Sequence, residues 1–185
     1  MDITYNNESD HTGNMERLNN TFAKGGEEEL NEAISIYGQG LLRYCHNILC
    51  DYYDAEEVVQ TTFLKAYEKR KSFKEGSSLS AWLYRIAYTT CIDHIRKKKL
   101  YMIFNKDIKE REYINQEKYI RDELREALMK ISQKERALIF SRVLDEKDYS
   151  ELEVIYNASS QTLRKRYERA KKKLAHILRE GNITY

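Results

Sequence analysis

Residues 149–174 read Tyr-Ser-Glu-Leu-Glu-Val-Ile-Tyr, then Asn-Ala-Ser-Ser-Gln-Thr, then Leu-Arg-Lys-Arg-Tyr-Glu-Arg-Ala-Lys-Lys-Lys-Leu. The first eight residues carry a short helical pattern. Asn157 suits a turn, because Asn tolerates the left-handed conformation better than most residues. Ser159 or Ser160 can accept from the free amides of the next helical turn. From Ser160 to Arg179 a second helix holds eight Lys or Arg against one acid, Glu168. Leu163, Tyr167, Ala170, Leu174 and Ile177 recur at three- and four-residue steps. They mark one buried stripe and leave Arg164, Lys165, Glu168, Arg169 and Lys172 on the other faces. This is the order of a helix-turn-helix whose second helix enters the DNA major groove. Ser160, Gln161, Thr162, Arg164 and Lys165 in its opening turns, with Glu168 and Arg169 behind them, form the candidate contact set. A solvated basic face on an ordinary amphipathic helix would explain the charge but not the turn before it.

Working outward, the charge is unevenly spread. The chain of 185 residues has a net charge of only +2. Residues 1–60 hold twelve Asp or Glu against three Lys or Arg, so this part repels DNA and suits a basic protein surface. Basic charge sits at 96–99 and again at 164–179. Two separate basic patches suggest two contacts on one nucleic acid. Proline is absent and glycine scarce, while Glu, Lys, Arg, Leu, Ala and Ile abound. That composition predicts an all-α fold.

No apolar run is long enough to span a bilayer, and the polar N-terminus does not read as a signal peptide. The expectation is a cytoplasmic protein without membrane insertion. Cys45, Cys50 and Cys91 are odd in number, which argues against a disulfide framework. Cys45, His46 and Cys50 have no second cluster to complete a metal site, so neither metal nor cofactor is expected.

The periodicity divides the chain. Residues 1–24 read as a loose N-terminal tail. Residues 27–50 read as helix, with a possible bend at Gly38 and Gly40. Asp54 is placed to cap a helix over 55–71. Residues 73–80 read as a loop broken by Gly76 and three serines. Ser80 is placed to cap a helix reaching about Lys98. Ser132 and Glu135 form a capping box that opens a helix through about Leu144. The reading is two small helical domains, 25–99 and 121–179, joined by a flexible linker over 100–120, with a C-terminal tail at 180–185.

The upstream domain contains Asp54-Ala-Glu-Glu-Val-Val-Gln-Thr-Thr-Phe-Leu-Lys-Ala-Tyr67, then Phe73, then Ser80-Ala-Trp-Leu-Tyr-Arg-Ile-Ala87, then Ile92-Asp-His-Ile-Arg-Lys-Lys-Lys99. This resembles region two of the extracytoplasmic-function (ECF) sigma factors, within the sigma-70 family of bacterial transcription initiation factors. The helix-turn-helix resembles region four of the same family, in the right order. The resemblance spans roughly residues 27–178. It departs from the family's habit at Glu153, where a small residue is usual, at Ile131-Ser132 for Leu-Pro, at Thr89 for Asn, and at Asn157 for Gly.

The resemblance implies a sigma factor that binds core RNA polymerase and directs promoter recognition, promoter opening and initiation, with no catalytic chemistry of its own. It implies polymerase docking through Asp54, Glu56, Glu57, Val58, Gln60 and Phe63. An acidic, partly apolar helix is suited to a basic protein surface. It implies a minus-ten reader formed by Ser77, Ser78 and Ser80, whose small polar side chains can hydrogen-bond a splayed base, with Arg96, Lys97, Lys98 and Lys99 on the backbone. The second helix of the helix-turn-helix would read the minus-thirty-five element. Core polymerase and promoter DNA are the expected partners, and an anti-sigma factor is a further one left open. Trp82 reads as core, and Tyr84 and Tyr88 as packing rather than base-stacking residues. The alternative is a stand-alone helix-turn-helix regulator, which leaves 54–99 unexplained and shows no dimerisation helix. A DNA enzyme finds no convergent nucleophile, base or metal set.

Overall fold

The computed structural model describes residues 8–104 and 122–180. Among them every regular element is helical: α1 Glu8–Thr21, α2 Glu27–Leu49, α3 Tyr52–Lys69, a 3-10 turn Arg70–Ser72, α4 Leu79–Phe104, α5 Asp122–Met129, α6 Gln133–Val143, α7 Tyr149–Tyr156 and α8 Ser160–Glu180. Most of the expected linker, 105–120, and the tail beyond 180 lie outside the described residues.

Local signals set most of the boundaries. Ser132 and Glu135 close the expected capping box at the head of α6, and Asp148 with Glu151 closes another at the head of α7. Asn157 ends α7 at φ 49, in the left-handed region. Three helix expectations need correction. Asp51, not Asp54, caps α3: its Oδ1 accepts from the Asp54 amide at 2.9 Å. Ser78, not Ser80, caps α4: its Oγ accepts from the Ala81 amide at 3.1 Å. Helix α2 runs unbroken through Gly38 and Gly40. At Gly40 an added Cβ would sit 3.1 Å from the Tyr84 hydroxyl of α4, so the missing side chain serves close helix packing rather than a bend.

The expected loose tail also needs correction, because residues 8–21 form α1. Leu18 and Phe22 are fully buried, and Met15 packs beside them. Burying a Leu or Phe side chain contributes about 1.5–3 kcal/mol each, enough to order a helix of weak intrinsic pattern. Helix α4 runs six residues past Lys98, since Lys99–Phe104 contains no breaker. The side chains from Leu100 to Phe104 are all exposed.

Helices α1–α4 build a core around Leu18, Phe22, Leu41, Tyr44, Ile48, Val58, Leu79 and Leu83. Helices α5, α6 and α8 share a second cluster of Leu128, Ile131, Ile139, Phe140 and Ala170. The two groups also pack on each other. Leu138 of α6 and Leu152 and Ile155 of α7 belong to the same buried cluster as the α2 and α4 residues. Polar contacts cross this seam: Tyr44 with Tyr156, Lys147 with Ser80, and Arg125 donating to the Cys50 carbonyl.

Candidate nucleic-acid and protein interfaces

The C-terminal helix-turn-helix carries the buried stripe that its spacing predicts. Leu163 and Ala170 are buried and Tyr167, Leu174 and Ile177 half-buried, so α8 lies on α6 and α7 along this stripe. Gln161, Arg164, Lys165, Glu168 and Arg169 are exposed, and Ser160 and Thr162 are half-exposed. Ser159 Oγ accepts from the Thr162 amide, as a helix cap does. Glu153 adds a second cap from the preceding helix: its Oε1 accepts from both the amide and the hydroxyl of Ser160. Those bonds hold the Glu153 carboxyl below the usual range. The Ser160 hydroxyl is thus already engaged. Arg164 is fixed too, its guanidinium 4.3 Å from the Tyr149 ring centroid. A cation held over an aromatic face is pre-ordered, and Tyr149 is a residue that helical periodicity alone did not single out.

The serine-rich loop leads from the 3-10 turn into α4. Each candidate serine has a partner inside the chain. Ser77 Oγ donates to the Lys74 carbonyl, Ser78 Oγ caps α4, and Ser80 is buried with its Oγ accepting from Lys147 Nζ at 2.9 Å. Behind the loop, Phe22, Phe73 and Trp82 meet at ring-centroid distances of 5.2–6.2 Å, which places Trp82 against the core. Tyr84 is buried with Lys147 Nζ 5.0 Å from its ring, and Tyr88 meets Tyr156 edge to face. A basic recess of about 670 Å³ opens beside the loop, lined in part by Lys24, Arg70, Lys71 and Lys74. Arg70, Lys71 and Lys74 fall within the basic run Lys69-Arg-Lys-Ser-Phe-Lys74, and Lys24 joins them from a distant part of the chain.

Arg96, Lys97 and Lys99 are exposed in the C-terminal half of α4, Arg96 3.4 Å from Asp93. Lys98 is half-buried and pairs with Asp54 and Asp51. Asp54 also faces His94 Nε2 at 3.3 Å. Asp54 and Lys98, read from the sequence as belonging to two different interfaces, therefore meet in one ion pair.

The acidic helix divides along its faces. Glu56, Glu57 and Gln60 are solvent-accessible, but Val58 and Phe63 are buried at 1% and 5% exposure and belong to the core. The apolar surface that does face outward lies between α2 and α3. It is a groove of about 710 Å³ whose lining includes Ile34, Leu42, Glu56, Gln60, Leu64 and the mostly buried Phe63. Leu64 is 64% exposed and Ile34 41%. Leu64 falls off the buried stripe of its helix, a signal present in the sequence, whereas Ile34 keeps the helical period of Leu30, Tyr37 and Leu41 and gave none.

Residues 33–101, covering α2 to near the end of α4, match the family model described as Sigma-70 region 2. Over 173 residues the chain is 26% identical to the ECF RNA polymerase sigma factor SigW of Bacillus subtilis, covering 85% of this chain and 92% of that protein. The chain thus carries a sigma-70 region 2 and is similar over most of its length to an ECF sigma factor. The fold also superposes on two solved structures. One is the sigma factor RpoE from Bartonella quintana in complex with the anti-sigma factor NepR, with a TM-score of 0.70, 23% identity, and coverage of 82% of this chain and 98% of that one. The other is CnrH in complex with the cytosolic domain of CnrY, with a TM-score of 0.69, 19% identity, and coverage of 90% and 98%. Among the described residues no helix is long and apolar enough to cross a membrane, and no group of three or more His, Cys, Asp or Glu residues could hold a metal ion.

Proposed function

We propose that this chain works as the promoter-reading subunit of RNA polymerase and carries no catalysis of its own. One observation carries the reading. The same chain presents the exposed basic face of α8 and, on a separate helix group, a serine-rich loop flanked by basic side chains. The two surfaces differ in kind. Helix α8 fits the major groove of duplex DNA, and a loop beside a basic recess fits a single strand. The α2/α3 groove, apolar at its floor with Glu56 and Gln60 at its edge, is the proposed docking surface for core polymerase. An apolar centre with a polar rim is the usual anatomy of such a contact.

The two halves are proposed to act as separate domains joined by the segment near 100–120. Promoter elements read at minus thirty-five and minus ten lie on the order of 80 Å apart at about 3.4 Å per base pair. The packed seam between α4 and α7 would then have to part on promoter binding. An anti-sigma factor is a further proposed partner, supported by the sigma factor RpoE of like fold, whose structure contains one.

The test is reconstitution with purified core polymerase, followed by run-off transcription on genomic fragments. Co-elution with core and discrete start sites support the reading. Duplex binding by the chain alone, without any association with core polymerase, would replace it with a stand-alone helix-turn-helix regulator.

A further inference from the structure

We propose that Asn19 of α1 is a positioning residue for the serine-rich loop and thereby sets its sequence selectivity. The proposal rests on the reading of residues 73–80 as a single-strand reader. Helix α1 lies outside the 33–101 match, and nothing in its sequence pattern marks a function.

The geometry is specific. Asn19 Oδ1 accepts from the Leu79 amide at 2.9 Å. The Asn19 carbonyl accepts from the Gly76 amide at 2.9 Å. One residue thus takes a hydrogen bond from each side of Ser77 and Ser78. The first turn of α4 has orphan amides that need acceptors. Ser78 Oγ satisfies Ala81 and the Ser78 carbonyl satisfies Trp82. Asn19 supplies the acceptor for Leu79 from a different helix. Gly76 sits at φ 75, a conformation glycine adopts without strain, so the chain reverses where the Asn19 carbonyl holds it.

Two further contacts keep α1 in register with the loop. Phe22, one turn on from Leu18, is fully buried against Phe73 and Trp82, which bracket the loop. Lys24 pairs with Glu75 at 2.8 Å. Since the three serine hydroxyls already have partners within the chain, the loop's selectivity depends on the shape in which it is held. Loops without such an anchor sample many shapes and discriminate poorly, because a flexible site pays ordering entropy on each binding event.

The experiment uses the full chain, reconstituted with core polymerase, and compares wild type with N19A and N19D. Aspartate keeps an acceptor oxygen at the same place. Each holoenzyme selects from a pool of single-stranded oligonucleotides randomised over six positions. Preference for the enriched sequence over a scrambled one is then measured. N19A is expected to lose about five- to tenfold of that preference, the scale of one lost base contact. It should keep wild-type affinity for core polymerase and for an upstream duplex. N19D is expected to keep the preference. Amide hydrogen exchange on the free chain should speed up at Leu79, whose amide loses its side-chain acceptor, in N19A and not in N19D.

Unchanged selectivity in N19A overturns the proposal. So does an N19D variant that loses as much as N19A, or an N19A variant whose losses in core affinity and duplex affinity match its loss of selectivity. A wild-type holoenzyme that enriches no sequence overturns the selectivity role together with the loop reading. Hydrogen exchange then separates the two, since unchanged protection at Leu79 in N19A shows that the Asn19 side chain does not hold the loop.

Discussion

The hydroxyls of Tyr44 and Tyr156 lie 3.0 Å apart across 112 residues of sequence. Tyr156 also meets Ser141 Oγ at 2.8 Å, so its hydroxyl links a fully buried tyrosine of α2 to a fully buried serine of α6. Burial pushes both phenols well above their ordinary value, which keeps them neutral hydrogen-bonding groups at any physiological pH. The seam between the two helix groups is thus closed by a polar chain inside an apolar surround.

Removing that link should loosen the seam. Tyr156→Phe leaves two buried hydroxyls without their shared partner, at a cost of about 1–3 kcal/mol. Urea denaturation should show a lower midpoint with little change in slope. Tyr44→Phe alone should show part of the loss, and the double variant less than the sum. Strict additivity would mean that the two hydroxyls are not coupled.

The seam should also respond to pH through Asp145. Burial lifts its carboxyl to about 6, against the downward pull of Lys147, the Tyr84 hydroxyl and Arg43, with Glu151 adding to the rise. In the unfolded chain the group titrates near 3.9. The folded state therefore binds the proton more tightly, and Asp145's contribution is fully present below about pH 4. It is lost as pH rises to about 6. Asp145→Asn should remove this component, so the stability of wild type relative to the variant should fall across that window. A difference that stays flat from pH 4 to 7 would contradict the burial argument.

On α3, neighbouring residues should separate fold from docking. Phe63→Ala empties a core position and should cost about 3–5 kcal/mol of stability. Leu64→Asp touches only the exposed lip of the groove and should leave the circular dichroism melt within about 0.5 kcal/mol of wild type. Core-polymerase affinity should fall by about 1–3 kcal/mol for Leu64→Asp. A stable Leu64→Asp variant that binds core normally would remove the groove as the docking surface.

Along α8, Arg164 and Lys172 should behave differently. Arg164→Ala should cost about 1–3 kcal/mol at one position of the upstream element and relax specificity there. Tyr149→Leu, which removes the ring beneath the guanidinium, should give a weaker version of the same change. Lys172→Ala should weaken all sequences alike and flatten the salt slope by about one unit. Titration of element variants at two salt concentrations distinguishes these outcomes.

Much of this was legible before any coordinates. The capping box at Ser132 and Glu135, the turn at Asn157 and the stripe from Leu163 to Ile177 are local: caps and helical periods depend on residues within one or two turns. Periodicity also exposed α2, α3 and α4, and the motif over 54–99 carried the family resemblance. Other readings failed because the deciding partner was far away. Helix α1 shows only Met15, Leu18 and Phe22 as a sparse stripe, and its order depends on Phe73 and Trp82 fifty residues on. Asp54 and Lys98 looked like surface charges for two partners until α3 and α4 brought them together.

The all-α class, the helix-turn-helix, the basic face of α8 and the family resemblance all follow from the order of the residues. Each of these is written in short-range pattern, where side chains three or four apart share a face whatever the rest of the chain does. Packing between distant helices placed Val58 and Phe63 in the core, turned Leu64 and Ile34 outward and set Ser80 beneath Lys147. It alone decided that Asn19 anchors the serine loop, and that Tyr156 closes the seam on Tyr44. These contacts join residues tens to more than a hundred positions apart, and no local propensity encodes such a pairing.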